Sequence, residues 1–224
     1  MFAASLIAAV PAFKQARGEG DISSWLVREI NHYLPASACI VFSLPAYSPD
    51  VEQTIVAALS KTRDSCHHDI QLVIAVASNP ADWAACRGID GFVLAQEQRD
   101  AFALQIFSMV ASLGAPEFLS PIDAEDLSNV MGDAFKPSQL IEAVWFSHTN
   151  QLYLSSPEHL AVLERAKAAA FMPAITLKLA SLALMTQAIV GQVSASCSVI
   201  SVATYGLVVA AVPGIVPIAI VCLV

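Results

Sequence analysis

Apolar residues in this chain fall into short runs separated by polar turns, and the runs set the expected elements. Residues 4–10 read as a short buried strand. Residues 38–44 (ACIVFSL) and 70–77 (IQLVIAVA) are continuous apolar runs rather than alternating ones. Continuous runs rich in Val and Ile suit strands covered on both faces, as in a parallel sheet flanked by helices. Between the runs the spacing turns helical. Asp21 or Ser23 can cap a helix through about residue 33, with Trp25, Leu26, Ile30 and Leu34 on one stripe and Pro35 as the stop. Asp50 can cap a second helix to about residue 64, with Val51, Ile55, Ala58 and Leu59 on one face. The order is β-α-β-α-β, which places ligand-binding potential in the loops after the strand ends.

Residues 78–91 carry no period. A long helix follows over 96–113, apolar on more than one side through Phe102, Ile106, Phe107, Met109 and Val110, so it is expected to be buried on most faces. Gly114 and Pro116 end it. A helix is then expected from Asp123 to about residue 131, and a strand over 141–147. Ser155 or Ser156 caps a helix that begins at Pro157 and runs to about residue 171. The remainder reads as a strand over 174–179, a small-residue helix over 182–196, and strands over 198–205 and 216–223 joined through Pro213 and Gly214. The expected fold class is α/β. A partial parallel sheet with flanking helices (1–95) leads into a long central helix (96–116), then a smaller α+β domain with a mixed sheet (117–224).

Composition narrows the function classes. Of 224 residues, 56% are hydrophobic and 13% charged, and mean hydropathy is +0.63. A disordered chain would be polar and charge-rich. The net charge of −8 and the lack of any Lys/Arg cluster argue against nucleic acid as a partner. No Asp, Glu, Lys or Arg occurs after Lys178. Residues 175–224 therefore admit a second reading, a two-helix membrane hairpin anchoring a cytoplasmic α/β scaffold. The soluble reading rests on the Val and Ile content after residue 199, on Pro213, Gly214 and Pro217, and on Lys178, Gln187 and Gln192 within the first candidate span. Composition alone leaves the two even.

Five scattered cysteines form neither a disulfide framework nor a zinc ribbon and fit a reducing compartment. The first twelve residues lack a leading basic residue, so they read as a strand rather than a signal peptide. Cys66-His67-His68-Asp69 reads as a solvated helix end, because adjacent histidines rarely point at one ion; no metal is expected. His148 and His159 are isolated, and no nucleophile elbow accompanies the serines.

Three ordered stretches resemble the bacterial tubulin homologue FtsZ. Arg99-Asp100-Ala101-Phe102 is similar to the Asp-Ala-Phe that opens the central helix of that family, where the Asp meets the guanine base. Residues 122–132 (IDAEDLSNVMG) resemble the family's synergy loop and the helix after it. Leu6-Ile7-Ala8-Ala9 ahead of Gly18-Glu19-Gly20 resembles a strand and a glycine-rich phosphate loop. The 38–44 strand followed by Pro45, and the element order after Met131, follow the family too. The resemblance covers nearly the whole chain but only the later two-thirds of an FtsZ core. It implies Asp123 and Asp126 as catalytic, filament-facing positions, Gly18, Gly20 and Asp100 as nucleotide-binding positions, GTP as the cofactor, and FtsZ-like filament subunits or self-association as the partner. It also favours a soluble, cytoplasmic chain over a membrane-anchored one.

The departures shape the expected activity. A phosphate loop needs small residues whose N–H groups close around anionic oxygens. Here Pro11 lacks an N–H, Phe13 is bulky and Glu19 is anionic, with Lys14 and Arg17 in partial compensation. Where the family has a basic residue after the Pro45 strand, Val51, Glu52 and Gln53 stand. Pro121 replaces the synergy-loop Asn. These changes imply weak or absent GTP binding by the chain alone, leave GTPase activity open, and suggest a subunit, cap or modulator of a cell-division or cytoskeletal filament. Helix capping is the plainer reading of Asp100, Asp123 and Asp126. The missing leading strands also raise the expectation that a longer reading frame begins upstream.

Overall fold

The computed structural model describes residues 6–7, 37–44, 46–65, 69–96, 99, 102–103, 105–106, 109, 124–174, 177–201 and 214–224. Among the described residues nine strands form one sheet: β1 (Leu6–Ile7), β2 (Ser37–Ser43), β3 (Asp69–Ala77), β4 (Gly91–Leu94), β5 (Ser138–Phe146), β6 (Gln151–Leu154), β7 (Ala168–Pro173), β8 (Ser198–Ser201) and β9 (Ile215–Leu223). The spatial order is β1-β2-β3-β4-β5-β9-β7-β8, with β6 beside β5. Strands β1 to β5 are successively parallel, and β7 pairs parallel with β8. β9 runs antiparallel to both β5 and β7, and β6 antiparallel to β5. The α/β class is therefore observed, with a parallel part and a mixed part. The two meet where β4 pairs with only Ser138 and Gln139 of β5.

Four helices with fixed bounds accompany the sheet: α1 (Pro49–Ser65), α2 (Ala124–Ser128), α3 (Glu158–Arg165) and α4 (Leu179–Val190). The described residues between 99 and 109 are also helical. Their buried members, Ala103, Ile106 and Met109, pack on one face of the sheet against Leu72, Ile74 and Val76 of β3 and against Ala170 and Val221 of the mixed part. This stretch therefore spans both parts, as a helix apolar on several sides should. Gln105 Nε2 donates to Glu142 Oε1 of β5 at 3.1 Å. On the opposite face, α1 covers Ile40, Phe42, Val73 and Ala75, and α3 and α4 cover Ile141, Trp145, Phe171 and Ile220.

α1 shows how local chemistry sets the boundaries. The Val51 N–H donates to Ser48 Oγ at 3.3 Å, so Ser48 supplies the cap expected of Asp50. Pro49 takes the first helical position, where its missing N–H costs nothing. Ile55 and Leu59, one turn apart, face the sheet.

Several expectations are corrected. The strand β4 begins at the last residue of the stretch read as irregular and fills the gap before the expected long helix, where no strand was expected, and β6 forms an unexpected hairpin with β5. Its turn places Asn150 at φ 53°, a left-handed conformation that Asn tolerates. The helix expected to reach residue 171 stops at Arg165, and 168–173 is strand β7. All six β7 residues are buried, since β8 and β9 flank the strand and helices cover both faces. Ala168 to Ala170 favour helix intrinsically, and packing overrides that preference. The strand expected over 174–179 is not one: Leu177 and Lys178 are irregular and α4 begins at Leu179.

The membrane hairpin over 175–224 is also corrected. This segment folds as the twelve-residue α4 followed by β8 and β9. Among the described residues no helix is long and apolar enough to cross a membrane. The expected helix over 21–33 lies outside the described residues.

Candidate functional site

Because β1 to β5 share one direction, the sheet has two chemically distinct ends. The C-terminal end of the parallel strands is where α/β folds place ligands. Here the Leu44 N–H donates to Val76 O at 2.8 Å, and the Ala95 N–H donates to Ala77 O at 3.0 Å. Arg99 reaches across from the start of the helical stretch, and its Nη1 donates to Leu44 O at 2.7 Å. That hydrogen bond ties the helical stretch to the end of β2.

Beside it, Tyr47 meets Trp83 edge-on, with ring centroids 5.2 Å apart. Trp83 is buried, held by the single helical turn Pro80–Trp83 that follows β3. The Tyr47 hydroxyl donates to Glu52 Oε2 at 2.7 Å. That bond to a carboxylate, more than any other influence, raises the Tyr47 pKa, since ionisation would set two negative groups together. Asp50 and Glu52 occupy the first turn of α1 and Asp82 the neighbouring turn, so this rim is acidic. Carboxylates satisfy the positive end of α1, where an anion would otherwise bind.

The synergy-loop segment leads to the other end. Leu127, Val130 and Met131 anchor α2 and its following turn in the core. The Phe92 N–H donates to Gly132 O at 2.8 Å, next to the start of β4. Gly132 N–H donates to Ser138 Oγ at 3.0 Å, and that hydroxyl donates in turn to Val130 O. Asp133 Oδ1 accepts the N–H groups of Phe135 and Lys136, each at 2.8 Å. Asp126 is half-buried and Glu125 exposed on α2.

Of the predicted site residues, Asp126 is placed here, near the N-terminal end of the parallel strands. Gly18, Gly20, Asp100 and Asp123 lie outside the described residues. Among the described residues no group of three or more His, Cys, Asp or Glu could hold a metal ion.

No protein-family model and no curated protein sequence matches the chain. Solved structures do. An FtsZ variant from M. jannaschii superposes with a TM-score of 0.53 at 10% identity, over 90% of this chain and 69% of that one. The chain has an FtsZ/tubulin-like fold. CetZ1 from Haloferax volcanii, a GDP-bound monomer, gives a TM-score of 0.45 at 13% identity, over 95% of this chain and 70% of that one. An empty FtsZ dimer from M. jannaschii gives 0.38 at 12% identity, over 88% and 56%.

Within this FtsZ/tubulin-like fold, sequence reading missed the contacts of Arg99 and Ser138. Both join residues through backbone acceptors that no motif marks. Arg99 bonds across 55 positions. Gly132 carried a signal only as a glycine just after a predicted helix.

Two buried thiols give the fold a pH signature. Burial, with a smaller contribution from Glu52, pushes Cys86 from its ordinary 9.0 up to about 11. Burial, with Cys197 nearby, pushes Cys222 up to about 12. The unfolded thiols release their protons near pH 9 while the folded ones keep theirs. The unfolded state then holds fewer protons, so stability falls as pH rises from about 9 to 11 or 12. Urea melts at pH 8 and pH 11 should show a smaller loss in Cys86→Ala than in the wild type; equal losses would contradict the assignment.

Proposed function

We propose that this FtsZ/tubulin-like chain is a non-hydrolysing subunit or modulator of a cell-division or cytoskeletal filament, acting in the cytoplasm. The observation that supports this most directly is the acidic rim at the C-terminal end of a parallel sheet of FtsZ-like fold. Asp50 and Glu52 occupy the first turn of α1, Asp82 is nearby, and Arg99 is already bonded to Leu44 O. The carboxylates of Asp50, Glu52 and Asp82 at this rim disfavour a triphosphate, which needs free N–H groups and an excess of cations. No hydrolytic step is therefore assigned to the chain.

Asp123, Glu125 and Asp126 are the residues we assign to contact with a neighbouring filament subunit. Their segment leads to the end of the sheet opposite the acidic rim, which suits a head-to-tail neighbour. Two measurements test the reading. Titration with GTP and magnesium should give little or no heat; tight magnesium-dependent binding would refute the nucleotide part. Co-sedimentation with FtsZ filaments should drop several-fold for Asp123→Ala plus Asp126→Ala; unchanged pelleting would refute the contact part.

A further inference from the structure

We propose that β6 is an open sheet edge that captures an extended, uncharged peptide segment of a partner protein as an added strand. The inference goes beyond the filament reading and does not depend on it.

Hydrogen-bond parity sets which groups of β6 face outward. In an antiparallel pair, every second residue exchanges its backbone bonds with the residue opposite. The Ser155 N–H donates to Glu142 O at 3.0 Å, which makes Ser155 and Glu142 such a pair. In the same register the next ones are Tyr153 with Val144 and Gln151 with Phe146. Leu152 and Leu154 therefore turn their N–H and C=O groups away from β5. Among the described residues no strand pairs with that side. β9 takes the other edge of β5, and β4 shares the β6 edge only at Ser138 and Gln139, so β6 extends the sheet past the end of β4.

The edge is already held in the shape a strand needs. Tyr153 meets Phe146 edge-on with ring centroids 5.0 Å apart, and its hydroxyl donates to Gln151 Oε1 at 2.7 Å. Ser155 Oγ donates to Glu142 O at 2.6 Å. In the turn, the Thr149 N–H donates to Phe146 O at 3.3 Å and the Ser147 N–H to Gly214 O at 2.9 Å. Proteins blunt open edges with a charge, a proline or a bulge. β6 (QLYL) has no charge and no proline, and its register with β5 is unbroken. An edge fixed in advance loses little freedom on binding.

The surroundings define the occupant. Leu152 and Leu154 share a core layer with Leu182, Met185 and Ile189, so α4 lies against β6 on that face. α4 carries no charged residue. The opposite face of β6 presents Gln151 and Tyr153, also uncharged. A charge on an added strand would lose water here and find no partner. The outward N–H and C=O groups demand an extended backbone. In such strand addition the main chain supplies affinity and alternate side chains supply specificity.

The test begins with hydrogen exchange in the full chain. The Leu152 and Leu154 amides should exchange about tenfold or more faster than those of Gln151 and Tyr153. Equal protection overturns the proposal, because the edge is then already covered. A phage-displayed library of short random peptides is next selected against the full chain. The expected binders are uncharged, with apolar residues at alternate positions. N-methylation of a selected peptide at the residues that face β6 should weaken binding about tenfold or more, while N-methylation of the residues between them should not. Tyr153→Lys alters an exposed side chain, so the melting temperature should hold while peptide binding falls to a similar extent. A library that yields no binder, or binders indifferent to N-methylation, overturns the proposal. Association of whole copies that Tyr153→Lys abolishes would also overturn it, by placing a second copy on the edge.

Discussion

Gly132→Ala should abolish or severely weaken folding, with a loss of more than about 3 kcal/mol, above the range of ordinary overpacking. A Cβ at this position would lie 1.7 Å from Lys136 O, 2.8 Å from Lys136 C and 2.9 Å from Ser138 N. All three are backbone atoms, so no side-chain rotation relieves the clash. Moving the backbone would break the Gly132–Ser138 bond and the Phe92–Gly132 bond that hold the α2 turn against β4. The effect comes from close approach and not from a left-handed φ. Urea denaturation of the purified variant, or its recovery in inclusion bodies, reads the result. A stability within about 1 kcal/mol of wild type would show that the turn is not packed this way.

Phe171→Ala should cost about 3–5 kcal/mol, the usual range for a fully buried aromatic. Phe171 is 0% exposed and sits in β7, paired with Ile220 of β9 and Ser201 of β8. Its ring belongs to the layer with Trp145, Met185 and Ile189 that joins α4 to the sheet. Truncation leaves a cavity that neighbours on three strands cannot collapse to fill. Had residues 157–171 been a continuous helix, Phe171 would lie at its last turn and the loss would be small. Chemical denaturation therefore also discriminates the two assignments of this segment.

The strands legible in the sequence were those built on apolar runs rich in Val and Ile. β2, β3, β5 and β9 are flanked by strands on both edges, and the expected strands over 4–10 and 198–205 correspond to the shorter edge strands β1 and β8. β4 and β6, four residues each, were too short to rise above the surrounding polarity. β7 was hidden by alanines, which suit a helix locally but here fill a tightly covered strand. Capping of α1 moved from Asp50 to Ser48 because Pro49 fixes where the helix can begin.

The site divides the same way. The resemblance pointed to the 122–132 segment, and the structure places Asp126 on α2, before the turn that meets the start of β4. Of the acidity of the opposite rim, Asp50 and Glu52 were visible in the sequence. Its meaning needed the Tyr47–Glu52 bond, the proximity of Asp82 and the reach of Arg99 to Leu44 O.

By itself, the sequence determined the α/β class, the parallel run of the first strands, the long apolar helix and the break in charge at Lys178. These are one-dimensional properties, set by the period and length of apolar runs. Only the tertiary structure decided that the charge-free segment after Lys178 folds as α4, β8 and β9 instead of two membrane spans. A run of apolar residues is equally content in lipid or between two strands. Which it finds depends on pairing partners far away in the chain, and here β5 and β7 supply them to β9.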